Sequence, residues 1–293
     1  MTCRRTSAIG IVTEMRTEIT GITFDEERAL YSTVDAKISN CVFAGPADGE
    51  SALKESSEIE VEGCVFDLRY PLWHVTHGSI ASSEFTGNSR APLWYDRDVS
   101  VSDCDIRGVK AFRECDRVSL KNVRAESPEF FWKCRDSTID GIMLTSEYPF
   151  FECERTCIRN IEMDAKYSFQ YCRDLEISDS TLRTKDAFWH CRNAVVRDSV
   201  LKGEYIGWYS ENLHLINCRI EGTQPFCYCR NLVLEDCEMI DTDLAFEKSS
   251  AYARIRGSID SVKNPLEGTI EADSIGDIID DSGVCRIIVR DDA

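Results

Sequence analysis

The chain has 293 residues, 43% of them hydrophobic, and a formal net charge of −18. So large an acidic excess argues against nucleic acid and anionic membranes as partners, because both require a basic protein surface. It also disfavours polyanionic substrates unless a local cationic patch overrides the total.

Residues 1–23 fall outside the repeat that follows, and they are predicted to form an N-terminal cap or a disordered extension. They include Arg4 and Arg5 but no apolar run of signal-peptide length, and no segment of the chain is apolar enough to span a membrane. We therefore expect a cytoplasmic protein whose fifteen cysteines are mostly free thiols. Pairing of stacked cysteines is the alternative, because neighbouring coils of a solenoid lie about 4.8 Å apart.

Residues 24–282 carry a repeat of nineteen residues, which is most regular in the middle of the chain. The position that marks it, called position zero below, is occupied by Asp96, Cys115, Cys134, Cys153, Cys172, Cys191, Ser210 and Cys229. A fixed period near twenty residues is typical of a solenoid, in which equal positions stack on successive coils.

Each coil is predicted to contain three short strands. Positions +3 and +5 are apolar, which indicates a strand with one buried face, and position +7 is almost always Asn, Asp or Gly, which favours a left-handed turn. Positions +8 and +10 are apolar again, and a third strand with Leu or Phe at position −3 returns to position zero. The pattern predicts an all-β fold, a single-stranded right-handed parallel β-helix of roughly a dozen coils. A pentapeptide-repeat helix ranks second, because the aromatic third strand interrupts its five-residue step.

Residues 283–293 are predicted to form a closing strand and a tail. Such an end is physically required, since the open edge of the last coil would otherwise invite aggregation.

Several long segments resemble a bacterial family of unknown function: residues 24–31 (FDEERALY), 45–55 (GPADGESALKE), 68–74 (LRYPLWH) and 207–212 (GWYSEN). Residues 93–95, 146–148 and 261–265 extend the resemblance, from which the first twenty or so residues depart. The resemblance implies the single-stranded right-handed β-helix of pectin lyase-like proteins. The family has no established activity, cofactor or catalytic residues, so the resemblance implies none here.

Aromatic and charged residues alternate along the predicted third strand, at positions −2 and −1. Neighbours on a strand point to opposite faces, so burying one face leaves a row of aromatic side chains outside. We predict a groove of aromatic platforms for a carbohydrate-like or other elongated ligand; the alternative is that the aromatic rings belong to the core. The predicted ligand-binding residues are Trp94, Tyr95, Arg113, Trp132, Lys133, Tyr171, Trp189, His190, Trp208, Tyr209 and Tyr228.

A glycan-modifying hydrolase or lyase is the alternative function, and it would use carboxylates on the same face. The candidate catalytic residues are Glu114, Glu152 and His190. The two glutamates lie two coils apart, roughly 9.6 Å, a spacing that suits an inverting glycosidase. A third reading is a structural or protein-interaction scaffold that forms a homo-oligomer through a flat side. No histidine spacing predicts a metal site, and no glycine-rich loop predicts a nucleotide cofactor.

Overall fold

The computed structural model describes residues 16–45, 49–281 and 283–290, which form strands and turns without any helix. The strands of the N-terminal half are β1 Thr17–Thr20, β2 Thr23–Phe24, β3 Val34–Ser39, β4 Val42–Phe43, β5 Ser57–Glu62, β6 Val65–Phe66, β7 Leu72–Trp73, β8 Thr76–Ala81, β9 Glu84–Phe85, β10 Leu93–Trp94, β11 Arg97–Ser102, β12 Asp105–Ile106, β13 Ala111–Arg113, β14 Asp116–Glu126 and β15 Glu129–Trp132. The remaining strands are β16 Arg135–Thr145, β17 Tyr148–Pro149, β18 Glu154–Lys166, β19 Arg173–Ser178, β20 Thr181–Lys185, β21 Arg192–Arg197, β22 Val200–Lys202, β23 Glu211–Ile216, β24 Arg219–Glu221, β25 Leu232–Ile240, β26 Ser250–Arg256, β27 Ser258–Lys263, β28 Glu267–Ala272, β29 Ser274–Ile279 and β30 Arg286–Val289.

Every pairing among the described strands is parallel, and in the regular middle of the chain the partners lie nineteen residues apart, as Leu120 with Ile139 and Ile139 with Ile158. One sheet contains 23 strands, and a second of five strands is formed by β7, β10, β13, β15 and β17. The result is a parallel β-solenoid of about 14 turns, somewhat more than the predicted dozen. The all-β solenoid predicted from the repeat is confirmed.

The first coil begins before the boundary set at residue 24. Strands β1 and β2 pair in register with β3 and β4, with Thr17 opposite Ala36 and Thr23 opposite Val42. Residues 1–15, the rest of the predicted N-terminal cap, lie outside the described residues. At the other end of the chain β30 pairs with β28. Residues 291–293, the rest of the predicted C-terminal tail, also lie outside the described residues.

Stacked aromatic rings fill much of the solenoid core. Phe43, Phe66 and Phe85 at position +10 are fully buried, and their successive ring centroids lie 5.0 and 4.8 Å apart. Phe150, Phe169 and Phe188 at position −3 form a second buried column. Because equal positions meet on neighbouring coils, a repeated large apolar residue becomes a continuous column of buried surface.

Position zero has a hydrogen-bonding role beyond its small size. Cys153 Sγ donates to the Phe131 carbonyl of the preceding coil at 2.8 Å, and Ser249 Oγ, one coil beyond Cys229, donates to the Phe226 carbonyl at 2.6 Å. The same Ser249 Oγ accepts the backbone N–H of Cys229 at 2.8 Å. A short side chain that both donates and accepts therefore satisfies backbone groups that the sheets leave unpaired.

The fourteen cysteines in the described ranges are free, and all but Cys157 are buried. The expected free thiols are thus observed rather than disulfides. Nothing in the described ranges is a helix long and apolar enough to cross a membrane.

Candidate functional site

The segment before position zero does not alternate its side chains as predicted. In the C-terminal coils it is a hydrogen-bonded turn, as at residues 187–190, and every second residue has a left-handed backbone, with φ of 62° at Phe188 and 53° at His190. Ala187 and Phe188 are both buried, whereas Trp189 and His190 are both exposed. Strict alternation requires a continuous extended backbone, and a left-handed residue at every second position removes that condition. Positions −2 and −1 therefore both face outward in this coil and in most of the others.

The outward positions form two neighbouring columns. The tyrosine column, at position −1, consists of Tyr95, Glu114, Lys133, Glu152, Tyr171, His190, Tyr209 and Tyr228. The tryptophan column, at position −2, consists of Trp94, Arg113, Trp132, Phe151, Gln170, Trp189, Trp208 and Cys227, of which Gln170 and Cys227 are buried. The predicted ligand-binding residues are thus divided: six belong to the tyrosine column and five to the tryptophan column.

A groove runs along the solenoid axis beside the tyrosine column, and we call it the axial groove. Its other wall is the charged column at position +1, formed by Arg97, Asp116, Arg135, Glu154, Arg173, Arg192, Glu211 and Arg230. Three concave stretches with overlapping walls follow one another from Tyr95 to Arg230. The candidate catalytic residues Glu114, Glu152 and His190 line these stretches.

Four rings of the tyrosine column stack on one another. The centroids of Tyr171, His190, Tyr209 and Tyr228 are 5.2, 5.0 and 4.8 Å apart in succession, with interplanar angles of 9 to 15°. The ring planes therefore lie across the axis and neighbouring rings cover each other's faces, so that the ring edges and polar atoms face the groove. This arrangement differs from the predicted platforms, because the ring faces are not free for stacking a sugar along the axis.

The tryptophan column is partnered mainly within the protein. The Arg113 guanidinium lies between two indoles, 5.9 Å from the ring centroid of Trp94 and 5.4 Å from that of Trp132. The indole N–H of Trp132 donates to the Tyr148 carbonyl at 2.6 Å, and that of Trp208 to the Gln224 carbonyl at 2.8 Å. These contacts give Trp94, Arg113, Trp132 and Trp208 a structural role; Trp189 is 36% exposed.

The N-terminal part of the axial groove is lined by paired charges. Lys133 Nζ lies 3.6 Å from Glu152, Arg135 lies 3.7 Å from Glu154, and Glu114 lies 3.7 Å from Arg113. Each carboxylate therefore has a cation beside it. The two candidate catalytic glutamates are held apart by Lys133, which occupies the rung between them in the tyrosine column.

The C-terminal part is richer in cations. Arg192 lies 3.6 Å from Glu211, but neither Arg173 nor Arg230 forms a side-chain ion pair or hydrogen bond with any described residue. These arginines were not predicted to bind a ligand, because the mixed signs at position +1 indicated a surface salt-bridge ladder. One feature of the sequence could have identified them. In the C-terminal coils, position +1 is mostly arginine, and position −1 on the opposite wall of the groove has no carboxylate.

Burial, and secondarily the Arg192 charge, lowers the pKa of His190 below its ordinary value. Burial also raises the pKa of Tyr228, with Glu247 contributing to the shift. At neutral pH this wall of the groove therefore offers a neutral imidazole and a protonated phenol. Within the described ranges, no group of three or more His, Cys, Asp or Glu side chains could hold a metal ion.

One family, described as a protein of unknown function (DUF3737), matches residues 17–287. No curated protein matches the sequence significantly.

Among solved structures, an alginate lyase (AlyF-OU02, in complex with G6) is 10% identical, with a TM-score of 0.44, over 95% of this chain and 84% of its own. The Azotobacter vinelandii mannuronan C-5 epimerase AlgE6 A-module is 7% identical, with a TM-score of 0.37, over 90% and 88%. PfbA, a surface adhesin of Streptococcus pneumoniae, is 9% identical, with a TM-score of 0.32, over 88% and 70%. At these identities and TM-scores, what those proteins bind says nothing about the ligand of this chain.

Proposed function

The chain belongs to the DUF3737 family of unknown function, and we propose that it binds an extended, carbohydrate-like ligand along the axial groove. The observation that carries this proposal is the continuous groove between the tyrosine and charged columns, from Tyr95 and Arg97 to Tyr228 and Arg230. An elongated molecule fits a site that runs along the axis better than a compact one does.

The chemistry of the walls suits a molecule rich in hydroxyl groups. Phenol oxygens, imidazole nitrogens and guanidinium groups line the C-terminal stretch, and together they both donate and accept hydrogen bonds. Because the rungs recur about every 4.8 Å, a polymer lying along the axis meets a new set of partners at each rung. Binding is thus expected to arise from ring edges rather than from stacking on ring faces, and to strengthen with ligand length.

The test is binding of oligosaccharides of increasing length, measured by calorimetry or on a glycan array. Tyr209→Phe keeps the ring stack but removes one hydroxyl, and we expect it to weaken binding about two- to ten-fold, the equivalent of one hydrogen bond. Tyr252→Phe is the matched control, because Tyr252 is 62% exposed on β26, away from the groove. Unchanged affinity in Tyr209→Phe and in Tyr209→Ala, or no glycan bound at any length, would overturn the proposal.

A glycan-modifying enzyme is the second candidate, and His190 is the residue that favours it. Its imidazole is stacked between Tyr171 and Tyr209 and has a lowered pKa, as a general base requires at neutral pH. Catalysis by Glu114 and Glu152 is a weaker form of this hypothesis, because both carboxylates are already engaged in ion pairs. Chain shortening by the wild type, lost in His190→Ala while binding persists, would support catalysis; a glycan recovered unchanged from the wild type would rule it out.

We propose a cytoplasmic location, which the free thiols of the described residues support. Thiol trapping in intact cells should recover the cysteines reduced, and recovery as disulfides would contradict this location.

A further inference from the structure

We infer that the glycan is acidic and that its carboxylates are held by the C-terminal stretch of the axial groove. This stretch, the basic segment, spans the four rungs from Tyr171 and Arg173 to Tyr228 and Arg230. The inference rests on the proposed function and adds the class of sugar, a polymer of uronate type.

The basic segment differs in charge from the rest of the groove. Three arginines and one glutamate line it, a local net charge of +2, with His190 neutral. The rungs from Tyr95 to Glu154 carry Arg97, Lys133 and Arg135 against Glu114, Asp116, Glu152 and Glu154, a net charge of −1. The chain as a whole has a net charge of −18, so a cationic stretch in the groove has the opposite sign to most of the protein. Such a stretch attracts anionic ligands.

Two of the three guanidinium groups are available to a ligand. Arg173 and Arg230 form no side-chain ion pair with the described residues, and Arg192 forms one, with Glu211 at 3.6 Å. A guanidinium binds a carboxylate through two parallel hydrogen bonds, which combine charge with direction. Arg173 and Arg192 lie one rung apart, and Arg230 lies two rungs beyond Arg192. The three cations are therefore arranged along the axis, where they can meet the successive negative charges of a linear polymer.

The opposite wall fits the neutral part of such a ligand. Tyr171, His190, Tyr209 and Tyr228 present ring edges with polar atoms, and the lowered pKa of His190 and the raised pKa of Tyr228 leave both of these side chains uncharged at neutral pH. Sugar hydroxyls can hydrogen-bond to these edges while the carboxylates face the arginines. The two walls together match a chain that carries both kinds of group on every unit.

The same stack disfavours single-stranded nucleic acid, the other common linear polyanion. Proteins bind such strands largely by stacking bases on aromatic faces. Here neighbouring rings, 4.8 to 5.2 Å apart, cover the faces within the stack. The acidic remainder of the chain would also repel a long phosphate backbone.

The experiment compares an oligogalacturonate with the same oligosaccharide after its carboxylates have been reduced to alcohols. We expect the acidic form to bind at least ten-fold more tightly, with an affinity that falls as salt is added. Arg173→Gln and Arg230→Gln should each weaken binding of the acidic form about ten-fold and binding of the reduced form much less. Arg286→Gln is the control, since Arg286 is an exposed arginine on β30 and does not line the axial groove.

The outcomes separate this inference from the function on which it rests. Equal affinity for both forms, with the effect of Tyr209→Phe retained, leaves glycan binding standing and overturns the acidic preference. Binding of neither form defeats both. Preference for a sulfated glycan or for oligothymidylate over the oligogalacturonate, or arginine variants that bind like the wild type, would also overturn the carboxylate assignment. The arginines are exposed, and the unfolding midpoint of each variant checks that its fold is intact.

Discussion

At the scale of single residues, position zero shows why the repeat uses cysteine and serine rather than any small residue. The Cys153 thiol donates to a Phe131 carbonyl that neither sheet pairs, and it lies in a fully buried column. A buried carbonyl without a partner costs about 1–3 kcal/mol. The side chains at position zero are thus similar both in volume and in their ability to donate a hydrogen bond.

We therefore predict different outcomes for two substitutions of similar size at this position. Cys153→Ser keeps a donor, as Ser249 does naturally, and should change the free energy of unfolding by less than about 1 kcal/mol. Cys153→Ala should cost about 1–3 kcal/mol, because the Phe131 carbonyl loses its partner. Urea denaturation measures both. Equal losses would mean that volume alone matters here.

Asp96 is the exception in the same column. Its side chain is completely buried, Oδ1 accepts the Val75 backbone N–H at 2.8 Å, and Oδ2 has no partner among the described residues. Burial raises the pKa of this carboxyl well above its ordinary range. The folded protein therefore keeps the proton under conditions in which the unfolded chain releases it.

The pH dependence follows from that difference. Stability contributed by the protonated group is complete below the unfolded pKa, about 3.9, and is lost as pH rises towards the raised folded pKa. Asp96→Ser, which restores the residue type of Ser210 and Ser249, should raise the unfolding midpoint at pH 7, by more than at pH 4. Thermal unfolding at both pH values measures this, and an advantage that does not change with pH would contradict the assignment.

At the scale of elements, left-handed residues define each coil as much as the strands do. Side-chain amides stack along one such position: Asn231 Nδ2 donates to Asn212, Asn212 to Asn193, and Asn193 to Asp174, at 2.8 to 3.0 Å. Asn212 has a φ of 54°, a conformation that costs asparagine less than it costs alanine. The column serves both the turn and the contact between coils.

Two substitutions of Asn212 separate these contributions. Asn212→Gly removes the amide but permits positive φ, whereas Asn212→Ala also forces a strained backbone. We expect alanine to be about 1–2 kcal/mol less stable than glycine, and glycine to be closer to the wild type. The measurement is the free energy of unfolding; alanine as stable as glycine would show that the backbone conformation is not limiting.

At the scale of the whole molecule, the solenoid shields almost all its thiols. Among the described cysteines only Cys157 is partly exposed, and burial raises the pKa of Cys191 to about 12 and that of Cys229 to about 11. Reaction with a disulfide reagent requires both access and a thiolate. A folded chain should therefore react at very few positions.

In a Cys3→Ser background, which removes the one cysteine outside the described residues, we expect one thiol to react rapidly in the native state and the others only on unfolding. The additional change Cys157→Ser should abolish the rapid phase. A reductant should leave the melting temperature unchanged. Several rapidly reacting thiols, or a lower melting temperature in reductant, would contradict the arrangement.

The period of nineteen residues and the apolar positions were enough to predict a parallel solenoid, because stacking makes equal positions neighbours whatever the details of the coil. The same reasoning put Tyr171, His190, Tyr209 and Tyr228 at one position of successive coils, but it did not decide which aromatic rings of that segment face outward. Their stacking followed from the repeat, but the direction of their ring planes did not.

Only the folded backbone decided how the outward residues are shared between columns. The left-handed residues around Phe188 and His190 turn side chains outward in pairs, and this placed Trp189 and Tyr209 in different columns. It also placed Arg173 and Arg230 across a groove from the ring edges. The direction of these side chains depends on the φ angle of single residues, and the charge of the groove depends on which side chains pair between neighbouring coils. A pattern of apolar and polar positions predicts neither.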